Sequence, residues 1–262
     1  MSYIEWLVER LSARDWFIIQ TLDRVRLASG LQLERLHFHE LAGRSRSVMR
    51  WKVLKRLADY RVITALDRRI GSAQRGSTCT RYVLDSAGQR LVQLRAHREF
   101  PQRRFRRPGL PGERFVTHLL AVTELYVMLV EHARSGQFTL AEYQVESAAY
   151  WRDGLRGWIK PDAFVKLRQG TVIDYWWYEA DLATESLPTV RSKLLTYLDF
   201  VRRGQLGPDG VVPRVLIGVP TSQRQGAIQD LVGDLPSPAE VMFVVSLLPE
   251  AADVMIGELT GQ

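Results

Sequence analysis

The stretch Ile159-Lys160-Pro161-Asp162-Ala163-Phe164-Val165-Lys166-Leu167-Arg168-Gln169-Gly170-Thr171-Val172-Ile173-Asp174-Tyr175-Trp176-Trp177-Tyr178-Glu179-Ala180-Asp181 reads as a β-hairpin. Ile159 to Leu167 forms one strand, Gln169-Gly170 turns the chain, and Thr171 to Asp181 is rich in β-branched and aromatic residues. Asp162 and Glu179 lie 17 residues apart across that turn, about the separation that sets two strand carboxylates side by side. Glu179 and Asp181 are two apart, so both point to one sheet face. Three carboxylates on one face make a hard oxygen site for Mg²⁺ or Mn²⁺. Such an ion can activate water and stabilise an in-line phosphoryl transition state. Trp176, Trp177 and Tyr178 read mainly as core.

Outward from the hairpin, Glu113 to about Ser135 predicts one long helix, with Phe115, Leu119, Val122, Tyr126 and Leu129 inward and Gly136 closing it. Phe138 to Tyr150 predicts a strand, and Asp153-Gly154 a turn. After the hairpin, a helix from near Pro188 to Arg203 carries Val190, Leu194, Leu198 and Val201 at helical spacing. Val215 to Val219 is an apolar run of the kind found in buried parallel strands. A helix near 227–232 and a strand near 241–247 follow. The order is α-βββ-α-β-α-β.

The first part of the chain has a different rhythm. Ser12-Ala13-Arg14-Asp15 is a capping box with Asp for Glu, and Trp16, Ile19, Leu22 and Val25 follow at helical spacing up to Ser29-Gly30. A short helix spans Leu31 to Phe38, and Ala42-Gly43 is a turn. A third helix, about Ser45 to Asp59, has Val48, Trp51, Leu54 and Leu57 as its expected buried stripe. Val62 to Leu66 and Thr80 to Leu84 are strands around a tip at 71–77, and Ser86 caps a last helix. This is the order of a winged helix-turn-helix. In that geometry the third helix enters the major groove and presents Arg44, Arg46, Arg50, Lys52, Lys55 and Arg56. The tip region adds Arg68, Arg69 and Arg75 over the backbone.

Charge divides the same way. Residues 1–112 carry 23 Lys/Arg against 10 Asp/Glu, whereas residues 113–262 carry 13 against 19. Both parts share one genome, so the contrast is not a bias of codon usage. A basic front points to a polyanion, and double-stranded DNA is the natural candidate. The expected domains are 1–98, a winged helix-turn-helix, and 113–262, the mixed α/β part. Between them lies a basic Pro/Gly linker, 99–112. One cysteine, Cys79, excludes an internal disulfide and a cysteine zinc site. No apolar run reaches membrane-spanning length and no secretory leader is legible, so the expected setting is the cytoplasm, away from membrane. The five histidines show no zinc-ligand spacing, and Gly71 to Gly76 lacks the Lys-Ser/Thr of a phosphate loop.

The α-βββ-α-β order with Pro161-Asp162 and Glu179-Ala180-Asp181 resembles the restriction-endonuclease-like, or PD-(D/E)XK, nuclease fold. The whole chain resembles the replication-relaxation family of plasmids and integrative conjugative elements. The resemblance is carried by Arg14-Asp15, by 33–38, by Arg61-Val62-Ile63, by 118–125, by Lys160 to Ala163, by Glu179 to Glu185 and by Lys193 to Tyr197. It implies DNA handling in replication, relaxation or conjugative transfer, beside a relaxase or a replication initiator. It also implies a catalytic set of Asp162, Glu179, Asp181 and Lys193. Here the sequence departs from the nuclease pattern, because Asp181 stands where the catalytic Lys belongs. Lys193 is then the displaced lysine, with Lys160 and Lys166 weaker candidates. Glu124 is a further candidate metal ligand beside Asp162, Glu179 and Asp181. Two readings stay open: a DNA-binding protein of a mobile element that nicks DNA with Mg²⁺ or Mn²⁺ or assists a relaxase or replication initiator, and a non-catalytic winged-helix transcription or copy-control regulator. In the second, the degenerate back domain makes a homodimer or holds a partner.

Overall fold

The computed structural model describes residues 2–66, 80–95 and 112–261. The chain divides into two compact units, 1–127 and 128–262. The expected wing tip at 71–77, with Arg68, Arg69, Arg75 and Cys79, and all of the expected linker but Gly112 lie outside the described residues.

The front unit opens with α1 (Tyr3–Arg10) and α2 (Ala13–Val25), each started by a reciprocal capping box, Ser2 with Glu5 and Ser12 with Asp15. β1 (Ala28–Ser29) leads directly into α3 (Gly30–His37), for which Ser29 is the N-cap. Ser29-Gly30 therefore starts a helix and does not end one; α2 stops at Val25. α4 (Gly43–Asp59) follows, then β2 (Ile63–Leu66), β3 (Arg81–Leu84) and α5 (Ser86–Arg95). The three strands form a sheet in the order β1-β3-β2, antiparallel throughout. Ile18, Ile19, Leu22, Leu33, Phe38, Leu57 and Leu91 are buried in this unit.

α4 corrects the expected stripe. Val53, Leu54 and Leu57 are buried, while Val48 and Trp51 are 41% and 53% exposed. The helix is rotated because two of its arginines are drawn inward by acids on other helices, as described below.

α6 (Glu113–Ala133) runs across the division between the units. Up to Val127 it belongs with the front unit. Val116 and Leu119 pack with Leu27 and Leu66, and Thr123 Oγ1 donates to the Leu27 carbonyl at 2.7 Å. The boundary expected at 112/113 therefore falls within the front unit's own packing. Phe115, expected inward, is exposed and Val116 takes its place. By length and composition alone α6 could cross a membrane, but its apolar side is the buried side of a core helix.

The back unit is built on a five-stranded mixed sheet. Its strands are β4 (Thr139–Val145), β7 (Ala163–Gln169), β8 (Val172–Ala180), β9 (Arg214–Val219) and β10 (Phe243–Leu247), in the order β10-β9-β8-β7-β4. β8, β9 and β10 are parallel; β4, β7 and β8 are antiparallel. The first strand ends at Val145, short of the expected Tyr150, and a two-stranded ribbon, β5 (Trp151–Arg152) and β6 (Trp158–Ile159), follows it. α7 (Leu187–Arg202), α8 (Ser222–Gly233) and α9 (Ala239–Met242) complete one layer, where Trp177, Val215 and Ile217 meet Val190, Leu194, Leu198 and Ile228. α10 (Ala251–Thr260), absent from the sequence expectation, packs against β7, β8 and β10. Gly218 is required where it stands: a Cβ there would meet Tyr178 Oη at 2.6 Å.

Leu194 is buried in this layer. Leu194→Ala is expected to lower the urea unfolding free energy of the back unit by about 2–5 kcal/mol, transfer and cavity terms together. The exposed neighbour Thr196→Ala should change it by no more than about 0.5 kcal/mol. Equal effects of the two would contradict the assigned face of α7.

Candidate functional site

Two groups of charged side chains stand out, one in each unit. In the front unit α4, the helix expected to enter the major groove, is fixed by acids from its neighbours. Asp15 is fully buried, accepts from Ser12 N and Ser12 Oγ at 2.8 Å, and accepts from Arg56 Nη2 at 2.6 and 2.7 Å. Glu34 of α3 accepts from Arg50 Nη1 at 2.6 Å, and the Arg50 side chain is only 4% exposed. Arg46 turns back over the α3–α4 connection, with Nε donating to the Leu41 carbonyl at 2.7 Å and Nη2 to the His39 carbonyl at 3.2 Å.

Three of the cations expected to point outward are therefore engaged within the unit: Arg46, Arg50 and Arg56. Arg44, Lys52 and Lys55 remain on the exposed side. Lys55 bonds Asp59 one turn on at 2.7 Å, an exposed pair of small worth. Glu124 lies with the front unit. It accepts from Gln32 Nε2 at 2.9 Å and pairs with Arg35. It is held by those two donors.

In the back unit the β7–β8 register pairs Ala163 with Tyr178. Continued by one residue, it sets Asp162 opposite Glu179. Asp162 N donates to the Tyr178 carbonyl at 3.0 Å, and Asp162 Oδ2 accepts from Ala180 N at 2.8 Å. Glu179 shares strand parity with Trp177, whose ring lies 5.4 Å from that of Tyr197 on α7. Glu179 is 4% exposed and both its oxygens are taken: Oε2 by Lys193 Nζ, Oε1 by Tyr197 Oη. Lys193 and Tyr197 are one helical turn apart, so one face of α7 supplies both donors.

Burial raises the Glu179 carboxyl, Lys193 pulls it down, Asp162 raises it again, and the net result is about 8. For Lys193, burial works to lower the ammonium, but Glu179 and Asp162 outweigh it and hold it above its ordinary value. Burial, then the charge of Glu179, lifts the Tyr197 hydroxyl well above the usual phenol range.

Asp181 takes no part in this group. Its Oδ2 accepts from Arg224 Nε at 2.8 Å and its Oδ1 from Ala183 N at 2.7 Å. Arg224 donates as well to the Glu185 carbonyl at 2.8 Å. Asp181 is thus the anchor of an arginine that ties α8 to the segment after β8. Among the described residues no three His, Cys, Asp or Glu side chains come together as a ligand set. In this structure Asp181 is bonded to Arg224, and both Glu179 oxygens are bonded to Lys193 and Tyr197.

Lys160, one of the weaker lysine candidates, lies over the Tyr150 ring, 5.8 Å from its centroid. Lys166, the other, pairs with Asp209. Tyr197 and Arg224 are the participants that sequence reasoning missed. Lys193 and Tyr197 at i and i+4 were legible as one helix face; the pairing of Asp181 with a residue 43 positions away was not.

The raised Glu179 carboxyl has a signed consequence. The folded unit keeps a proton that the unfolded chain releases near 4.5. Its stabilising contribution is complete below that value and is lost as pH rises through about 8. Between about pH 5 and pH 8.5 the parent should therefore lose stability relative to Glu179→Gln in urea titrations. A parent that gains relative to the variant over this range would contradict the assignment. Lys193→Met should cost about 1–3 kcal/mol, less than a fully buried pair because the Lys193 side chain is partly exposed.

The chain matches the replication-relaxation family model over residues 19–215, from α2 to β9. No curated protein and no solved structure matches it. The matched span takes in α3, α4, Asp162, Glu179, Asp181 and Lys193, and covers well over half of the chain. The chain belongs to the replication-relaxation family, and that membership suggests a role in plasmid replication or relaxation.

Proposed function

We propose that the chain binds double-stranded DNA through its front unit and acts in the replication, relaxation or conjugative transfer of a mobile element without cutting the DNA itself. The order α2-α3-α4-β2-β3-α5, with β1 completing a small sheet, is the order of a winged helix-turn-helix, with α4 as the recognition helix. One observation carries the reading: Arg44, Lys52 and Lys55 lie on the exposed side of α4, and the only carboxylate on that helix is Asp59 at its end. The basic residues of 67–111 extend the positive potential along the chain. In this reading the acidic back unit is the module that meets a relaxase, a replication initiator or a second copy of the chain, and its carboxylates are structural.

A second reading is favoured by a specific observation. Asp162 stands opposite Glu179, and Lys193 bonds Glu179, in a strand order α6-β4-β7-β8-α7-β9 like that of restriction-endonuclease-like nucleases. It makes the back unit a metal-dependent nickase.

Two assays on the full chain test these readings. Duplex binding should weaken steeply with salt, with a slope of log K on log salt of about −5 for six neutralised phosphates. The double variant Lys52→Ala/Lys55→Ala should reduce that slope by about 2. Duplex binding that ignores salt would end the first reading. In Mg²⁺ or Mn²⁺, supercoiled plasmid should stay intact with the parent and with Asp162→Ala alike. Nicking that disappears in EDTA and in Asp162→Ala would establish the second.

A further inference from the structure

We infer that α4 reads thymine methyl groups in the major groove through an apolar strip formed by Val48 and Trp51. The inference rests on the reading of the front unit as a duplex-DNA binder and names what that unit recognises. Val48 and Trp51 are three apart on one helix, so their side chains lie side by side on one face. The buried side of α4 is elsewhere, at Arg50, Val53, Leu54 and Leu57. An indole left more than half exposed beside an exposed Val48 is an apolar surface without a partner among the described residues of the unit.

The cations around the strip say what covers it. Arg44 and Lys52 are exposed on the same helix, and Lys55 stands one turn beyond Trp51. A second copy of the chain laid face to face on α4 would bring these like charges together, which is unfavourable. A polyanion with apolar groups in its groove suits both the charge and the apolar strip. On B-DNA base edges the thymine C5 methyl is the apolar group that the major groove offers. The arginines that would otherwise read guanine from the body of α4 are turned away from this face. Arg46 bonds the Leu41 and His39 carbonyls, Arg50 bonds Glu34, and Arg56 bonds Asp15. What remains exposed at the middle of the helix is Ser47, Val48, Met49, Trp51 and Lys52. That set discriminates A·T pairs by contact with a methyl group and leaves phosphate binding to the flanking cations.

The experiment uses the full chain and a preferred duplex selected from a randomised library. Each thymine in that duplex is then replaced by uracil, which removes the C5 methyl and leaves the hydrogen-bonding edges intact. The parent should lose about fourfold in affinity for each contacted methyl, the worth of one buried methyl-sized group. Trp51→Ala should lose a similar amount on the thymine duplex and bind thymine and uracil duplexes equally. Its salt slope should match that of the parent, because no charge is removed. Trp51 is exposed, so this variant should melt with the parent. Equal binding of both duplexes by the parent would overturn the inference, as would discrimination that survives in Trp51→Ala. So would a Trp51→Ala variant that turns a dimer into a monomer in sedimentation while DNA binding persists; the strip is then a chain–chain interface. A parent with no salt-dependent duplex binding fails at the earlier step, and the reading of the front unit falls with it.

Discussion

The front unit depends on two acids that hold arginines of α4, burying Arg50 and leaving Arg56 43% exposed. Asp15 holds Arg56 while capping its own helix, and Glu34 holds Arg50. A carboxylate removed from water costs several kcal/mol unless a cation and further donors meet it. Asp15 has both, in Arg56 and Ser12, so α2 and α4 are fixed against each other at that point. Glu34 does the same between α3 and α4. Together the two pairs set the rotation of α4 about its own axis. That rotation decides which residues face outward: a strip of Val48 and Trp51 flanked by Arg44, Lys52 and Lys55, in place of the arginine face that the sequence suggests. The chemistry of the exposed face is thus decided by groups that lie on other helices.

The back unit uses the same device at the end of its hairpin. Glu179 sits under α7 and is met by an ammonium and a phenol from one face of that helix. Asp181, two residues on, is met by Arg224 of α8. Each carboxylate pins one helix to the sheet or to the segment that follows it. A set of acids that reads as three ligands converging on one ion is divided in the fold into two separate anchors. Which role Asp162 and Glu179 play turns on whether Lys193 and Tyr197 ever release Glu179.

The elements with strong local signals were legible in the sequence. The β7–β8 hairpin has a Gln-Gly turn between two β-rich runs, and α7 has a clean apolar stripe beginning just after a Pro. α2 has its capping box. Three things were not legible, each for a physical reason. The stripe of α4 was ambiguous because its apolar residues, Val48, Trp51, Val53, Leu54 and Leu57, cover more than one face. The choice among them is made by Asp15 and Glu34, from other helices. The Pro/Gly-rich segment before α6 reads as a boundary, yet Thr123 and Leu119 bind the helix to Leu27 of the front unit. α10 has too little amphipathic contrast to stand out. At the site, the register that sets Asp162 opposite Glu179 follows from hairpin geometry. The diversion of Asp181 to Arg224 is a tertiary contact with no local trace.

The central claim is that DNA is held on the exposed face of α4. Hydrogen exchange of the full chain, free and saturated with a selected duplex, tests it most directly. The account predicts that bound DNA slows exchange in α4, Gly43–Asp59, and in the basic segment that follows β2, while β7, β8 and α7 exchange as in the free protein. Protection confined to residues 128–262, with α4 unchanged, would contradict it.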